Sequence, residues 1–103
     1  MNAELQNLVN GVAHRMSRMR AAAVFHLMER LDEVASAGGL EALIVAFEDI
    51  PCAEREPHEQ EAAMRLVREL RRYVMGKPEL VERHRCLVDA WMEHCILANY
   101  CAD

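Results

Sequence analysis

The sequence predicts an all-α protein: a four-helix bundle-like domain with one long N-terminal helix and a short second helix, residues 1–103 forming a single unit. Three observations carry this expectation. Composition is the first: there is no threonine, Ser17 and Ser36 are the only serines, and aromatics are 5% of the chain. Alanine, leucine, glutamate, arginine and methionine dominate, and these lose least entropy in a helix. Periodicity is the second, with apolar residues recurring at steps of three and four through most of the chain. Punctuation is the third: Gly38-Gly39, Pro51, Pro57 and Gly76-Lys77-Pro78 cut the pattern into four segments.

The first predicted helix runs from Ala3 to Ala37. Its stripe reads Leu5, Val9, Val12, Met16, Met19, Ala23, Leu27, Leu31, Val34, one continuous face by its spacing. Asn2 is placed to cap it and Glu4 lies in the first turn, on the favourable end of the helix dipole. Gly38-Gly39 ends it, because glycine adopts the left-handed terminal conformation cheaply. A helix of about 35 residues is roughly 52 Å long, against about 28–35 Å for the third and fourth helices. A single bundle would leave part of that stripe uncovered, so the expectation is a homodimer joined through the first helix. The predicted partner or dimer interface is Leu5, Val9, Val12, Met16, Met19, Ala23, Leu27 and Leu31. A kink near Gly11, or around Ala21-Ala22-Ala23, would instead let a monomer close on itself.

The second helix is predicted over Leu40–Ile50, with Leu40, Leu43, Ile44, Phe47 and Ile50 inward, and Pro51 stops it. Residues 51–56 read as a polar loop. Pro57 suits the first turn of the third helix, Pro57–Met75, whose inward residues are Ala63, Leu66, Val67, Leu70 and Val74. Pro78 opens a fourth helix reaching about Tyr100, with the stripe Val81, His84, Leu87, Val88, Trp91, Cys95, Ala98.

Chemistry is argued by elimination. The histidines His14, His26, His58, His84 and His94 never follow a glutamate by three positions, so the di-metal carboxylate motif is missing. His58-Glu59 begins like a zincin motif, but Ala62 stands where the second ligand belongs. The residual metal candidate is the group His84, Cys86, His94, Cys95 and Cys101, whose spacing fits no structural zinc pattern. No Cys-x-x-Cys pair, Gly-x-Ser-x-Gly elbow or glycine-rich phosphate loop occurs. Cys52, in the polar loop near Arg55 and His58, is the best nucleophile candidate, yet a Cys/His pair without geometry is a weak signal. A pocket between helices near Trp91 and Phe47 is a further candidate site. The expectation is a protein that is not an enzyme and uses no metal or cofactor.

Net charge is −5, which opposes general nucleic-acid binding. The third helix nonetheless carries Arg65, Arg68, Arg71 and Arg72, and Arg65, Arg68 and Arg72 are the alternative nucleic-acid contact. Glu61 and Glu69 stand three or four positions from these arginines, the spacing of a salt-bridged solvent face. The N-terminus lacks a basic segment followed by an apolar core, and no apolar run reaches the roughly 20 residues of a membrane span. A reducing, bacterial-type cytoplasm with free thiols is the expected setting. What survives is a regulator or adaptor acting by protein–protein interaction, sequestering a protein such as a transcription factor. The alternative is a helical nucleic-acid-binding regulator using the third-helix arginines.

Overall fold

A computed structural model describes residues 1–93. It contains five α-helices: α1 (Ala3–Gly11), α2 (Ser17–Ser36), α3 (Leu40–Asp49), α4 (Pro57–Val74) and α5 (Pro78–Trp91), with a short 3₁₀ turn at Cys52–Glu54. No strand occurs among the described residues. The all-α class is as expected.

The expected single N-terminal helix is instead two. The chain leaves helical geometry after Gly11, and α1 and α2 fold back against each other. In one continuous helix Gly11 and Ala23 would lie about 18 Å apart. A Cβ built on Gly11 would come 2.8 Å from the Ala23 Cβ. Side-chain contacts to the linker carbonyls, two of them local and one from 43 residues away, explain the break. Arg20 donates from Nη1 to the His14 and Arg15 carbonyls, at 2.8 and 3.1 Å. Arg55 donates from Nη1 to the Val12 carbonyl at 2.9 Å. Within the linker, the Met16 N–H donates to His14 Nδ1 at 3.0 Å. Carbonyls that would continue the helical ladder are thus held by buried guanidiniums, and the Met16 N–H is taken by the His14 ring. Farther along, Glu4 pairs with Arg30, residues about 39 Å apart in an unbroken helix. α2 itself bends at Arg30, whose φ/ψ of −118°/17° is non-helical.

The fold-back changes what the apolar stripe does. Leu5, Val9, Val12, Ala23, Leu27 and Leu31 are all buried in the chain's own core. The largest extent is 40 Å, shorter than the straight helix would be. The length argument for an uncovered stripe therefore falls, and of the eight predicted interface residues only Met16 and Met19 stay exposed.

α2 lies between α1 and α4, α4 between α2 and α5, and α3 packs across α1, α4 and α5. α3 is the most apolar element, and Leu40, Leu43, Ile44, Ala46 and Phe47 are buried. The inward residues expected of α4, from Ala63 to Val74, are likewise buried. Caps match the local chemistry. The Leu5 N–H donates to Asn2 Oδ1 at 2.8 Å. Gly38 has φ +74°, and the Gly38 and Gly39 N–H groups bond back to Ala35 and Val34 carbonyls at 3.1 and 2.8 Å, a Schellman end to α2.

Two glycines yield predictions. Gly11→Ala should lower stability by about 1–3 kcal/mol through overpacking against Ala23, although helix propensity alone favours alanine by ~1 kcal/mol. Urea denaturation decides which effect wins. Gly38→Ala meets open space, but its left-handed backbone should cost about 1–2 kcal/mol by the same measurement.

Candidate functional site

Two features stand out: a buried ionic cluster and the groove that the fold-back creates. Glu59, in the first turn of α4, is 1% exposed. Its carboxylate accepts from Arg20 Nη2 at 2.6 Å and Nε at 3.0 Å, and from the Glu56 N–H at 2.8 Å. Arg55 Nη1 approaches the same carboxylate at 3.8 Å. Two guanidiniums therefore share one carboxylate out of solvent. The bond to Glu59 raises the Arg20 pKa despite burial. Burial pulls Arg55 down to about 10, with the Glu59 charge opposing and Arg20 adding to the fall; Arg55 remains charged at neutral pH.

Arg55 Nη2 has no hydrogen-bond partner among the described residues. Its guanidinium lies 5.4 Å from the Phe47 ring centroid and 5.2 Å from that of Trp91. The two rings meet edge to face, 5.3 Å apart at 89°. Their π faces supply the electrostatic partner the nitrogen otherwise lacks. The cluster is a clasp joining the α1–α2 linker, the α3–α4 turn and α5. The segment 51–56, expected as a solvated loop, has Cys52 and Arg55 buried.

The groove runs between α1 and α2. Leu8, Gly11, Met19, Ala22 and Ala23 give it an apolar lining, with Asn7, Asn10, His14, His26 and Glu4 also along it, and it encloses about 520 Å³. That volume falls within the range of roughly 300–1,000 Å³ typical of binding clefts. Met16 and Met19 are 41% and 46% exposed. Glu4 is engaged by Arg30. The space expected near Trp91 and Phe47 is smaller, about 210 Å³.

The other sequence candidates separate. Cys52 is buried and disulfide-bonded, so the expectation of a free loop thiol does not hold there. Cys86 is an exposed free thiol 3.7 Å from a Glu82 carboxylate oxygen. His84 is buried, with Nε2 2.8 Å from the Val67 carbonyl. No group of three or more metal-binding side chains is placed to hold an ion among the described residues, and His94, Cys95 and Cys101 lie outside them. His58 Nε2 is 3.2 Å from Ser17 Oγ, a pairing the sequence argument did not foresee. On α4, Arg65, Arg68 and Arg72 are exposed. Arg65 pairs with Glu61 and Arg72 with Glu69, while Arg68 Nη2 contacts the Met92 sulfur at 3.2 Å. No helix among the described residues is long and apolar enough to cross a membrane.

Sequence reasoning missed Arg20, Glu59 and Arg55. Each resembles an ordinary surface charge by its neighbours, and its partners lie up to 43 residues away. The weak signal was Arg20 itself, one position after Met19 and three before Ala23, on the flank of an apolar stripe. No protein-family model, curated protein or solved structure matches the chain.

Proposed function

We propose that this chain is a small regulatory or adaptor protein that acts by protein–protein interaction, receiving an apolar helical segment with basic flanks in the α1–α2 groove. Sequestration of a regulator, such as a transcription factor, is the form of action this chemistry suits. The observation that carries the reading is the groove of about 520 Å³ with its apolar lining and exposed Met19. Methionine adapts to irregular partner surfaces, and helix-in-groove docking uses side chains repeating at three and four positions. The asparagines along the groove are uncharged, and the chain carries −5 overall, so basic residues at the ends of a bound helix would be drawn toward it.

The test uses a fluorescent amphipathic peptide of about 20 residues, leucine along one face and lysine at both ends, followed by anisotropy. Saturable binding should be lost on Met19→Glu and Ala22→Glu, both exposed positions, and kept on Arg68→Ala. Absence of saturable binding, or binding indifferent to both groove variants, would contradict the reading.

A second reading rests on the exposed arginines of α4. Its test is a mobility shift with duplex DNA that strengthens as salt falls and disappears on Arg68→Ala with Arg72→Ala.

A further inference from the structure

Beyond the groove, the outer face of α2 carries a second pattern. Phe47 is wholly buried, whereas Phe25, the other phenylalanine, is 66% exposed. It stands on the surface away from the core-facing residues Ala23, Val24, Leu27 and Leu31. Ala22 lies beside it, exposed, and its small side chain leaves room for close approach by another helix. Arg18 lies about two turns before Phe25 and Glu29 about one turn after it, and both are exposed. Neither has an ion-pair partner among the described residues.

The charges also run against the helix dipole. α2 has no acidic residue in its first turn and no basic residue in its last, although anions are favoured at the start and cations at the end. Arg18 sits in the first turn and Glu33 in the last. An antiparallel helix laid on this face reverses the mismatch, bringing its acidic half to the basic start of α2.

We infer that the outer face of α2 is a two-fold interface between two copies of this chain, with the helices antiparallel and the axis passing midway between Ala22 and Phe25. The register follows from the sequence. With the axis there, Phe25 meets the partner's Ala22 and Arg18 meets the partner's Glu29, and each contact occurs twice. An isologous pairing of this kind closes on itself as a dimer. The segment used lies before the bend at Arg30, so its residues share one axis. This interface differs from the one expected from sequence length: Leu5, Val9, Val12, Leu27 and Leu31 take no part, because they are buried in each chain's own core. The α1–α2 groove lies on the flank of α2 beside α1 and shares Ala22 with this face, so Ala22→Glu disturbs both, whereas Met19→Glu affects peptide capture alone and Phe25→Glu affects the dimer alone.

Sedimentation equilibrium of the full chain, from about 1 to about 200 µM, tests the inference, because a dimer's apparent population follows protein concentration. A monomer–dimer equilibrium is expected. Phe25→Glu should leave only monomer, and Arg18→Glu should raise the dissociation constant roughly tenfold or more. Combining Arg18→Glu with Glu29→Arg should restore dimerisation, since the charges are exchanged in register. All three substitutions are on exposed positions, and unchanged thermal melts would show that each variant is folded. A variant that does not melt like the parent would be replaced by Phe25→Ser, for which the same loss is expected. A parent chain that stays monomeric throughout would overturn the inference, as would a dimer indifferent to Phe25→Glu or a charge exchange that fails to restore association.

Discussion

Glu59→Gln is expected to lower the unfolding free energy by about 3–5 kcal/mol, the cost of leaving buried charge uncompensated. The glutamine is nearly isosteric and can still accept from Arg20 and from the Glu56 N–H, so packing and capping change little. What disappears is the carboxylate that pairs with two buried guanidiniums, Arg20 at 2.6 Å and Arg55 at 3.8 Å. Their mutual repulsion then loses its main counterweight, and the smaller attraction of Glu56 for Arg20 is what remains. Because Arg20 also holds the His14 and Arg15 carbonyls, the disturbance should reach the α1–α2 linker. Guanidinium chloride denaturation of the variant beside the parent measures the loss. The double change Arg20→Met with Glu59→Leu should cost less than Glu59→Gln, since it leaves one buried guanidinium, Arg55, in place of two and removes the repulsion between them. A loss below about 1 kcal/mol for Glu59→Gln would mean that the cluster is hydrated.

Phe47→Ala is expected to cost about 3–5 kcal/mol, the usual range for emptying a large aromatic from a core. The ring is wholly buried in α3 and touches Trp91 edge to face. Its removal does more than open a cavity, because Arg55 also loses one of the two π faces beside its unpartnered Nη2. Phe47→Leu separates the two effects. It retains most of the apolar volume, so the part of the loss that remains, about 1–2 kcal/mol, reports the edge contact and the cation–π interaction. Equal stability for Phe47→Leu and the parent would show that the Phe47 ring does nothing for Arg55 beyond filling space.

Much of the fold is written locally. Asn2 caps α1, Gly38-Gly39 closes α2, Pro57 and Pro78 open α4 and α5, and the three- and four-residue spacing of α3 and α4 identifies the buried faces. Each of these depends on chemistry within a few residues, which is why a pattern read along the chain finds it. The break between Gly11 and Ser17 is of another kind. No proline marks it, and the apolar stripe passes through Val12 and Met16 without interruption, so local spacing argues for a continuous helix. Gly11 was legible only as a place where a kink is cheap. The interactions that enforce the break come from Arg20, Glu59 and Arg55, and the links from α4 and its preceding turn reach back 39 and 43 residues.

The same reason limits what could be read of the site. The groove is made of residues that individually look like core or solvent positions, Leu8 and Ala23 among the first, Asn7 and His26 among the second. Only the fold-back brings them onto one cleft. Met16 and Met19 were identified as interface residues from the stripe and remain exposed. Their six companions went to the core because α1 covers what a straight helix would have left bare. Phe25 falls off the stripe by two positions from Leu27, and an exposed aromatic in an otherwise polar register was the signal for the outer face of α2.

The groove, the clasp and the burial of the apolar stripe all follow from the reversal of the chain between α1 and α2. A nuclear Overhauser contact between the Gly11 Hα protons and the Ala23 methyl group, recorded on the labelled full chain with isotope filtering to keep only contacts within one molecule, tests it without altering a residue. The fold-back predicts a strong cross-peak, because the two backbones approach so closely that a Cβ on Gly11 would stand 2.8 Å from that methyl carbon. An absent intramolecular cross-peak, with uninterrupted helical connectivities from Gly11 through Ser17, would mean one straight helix holding the two groups about 18 Å apart, and the groove would not exist.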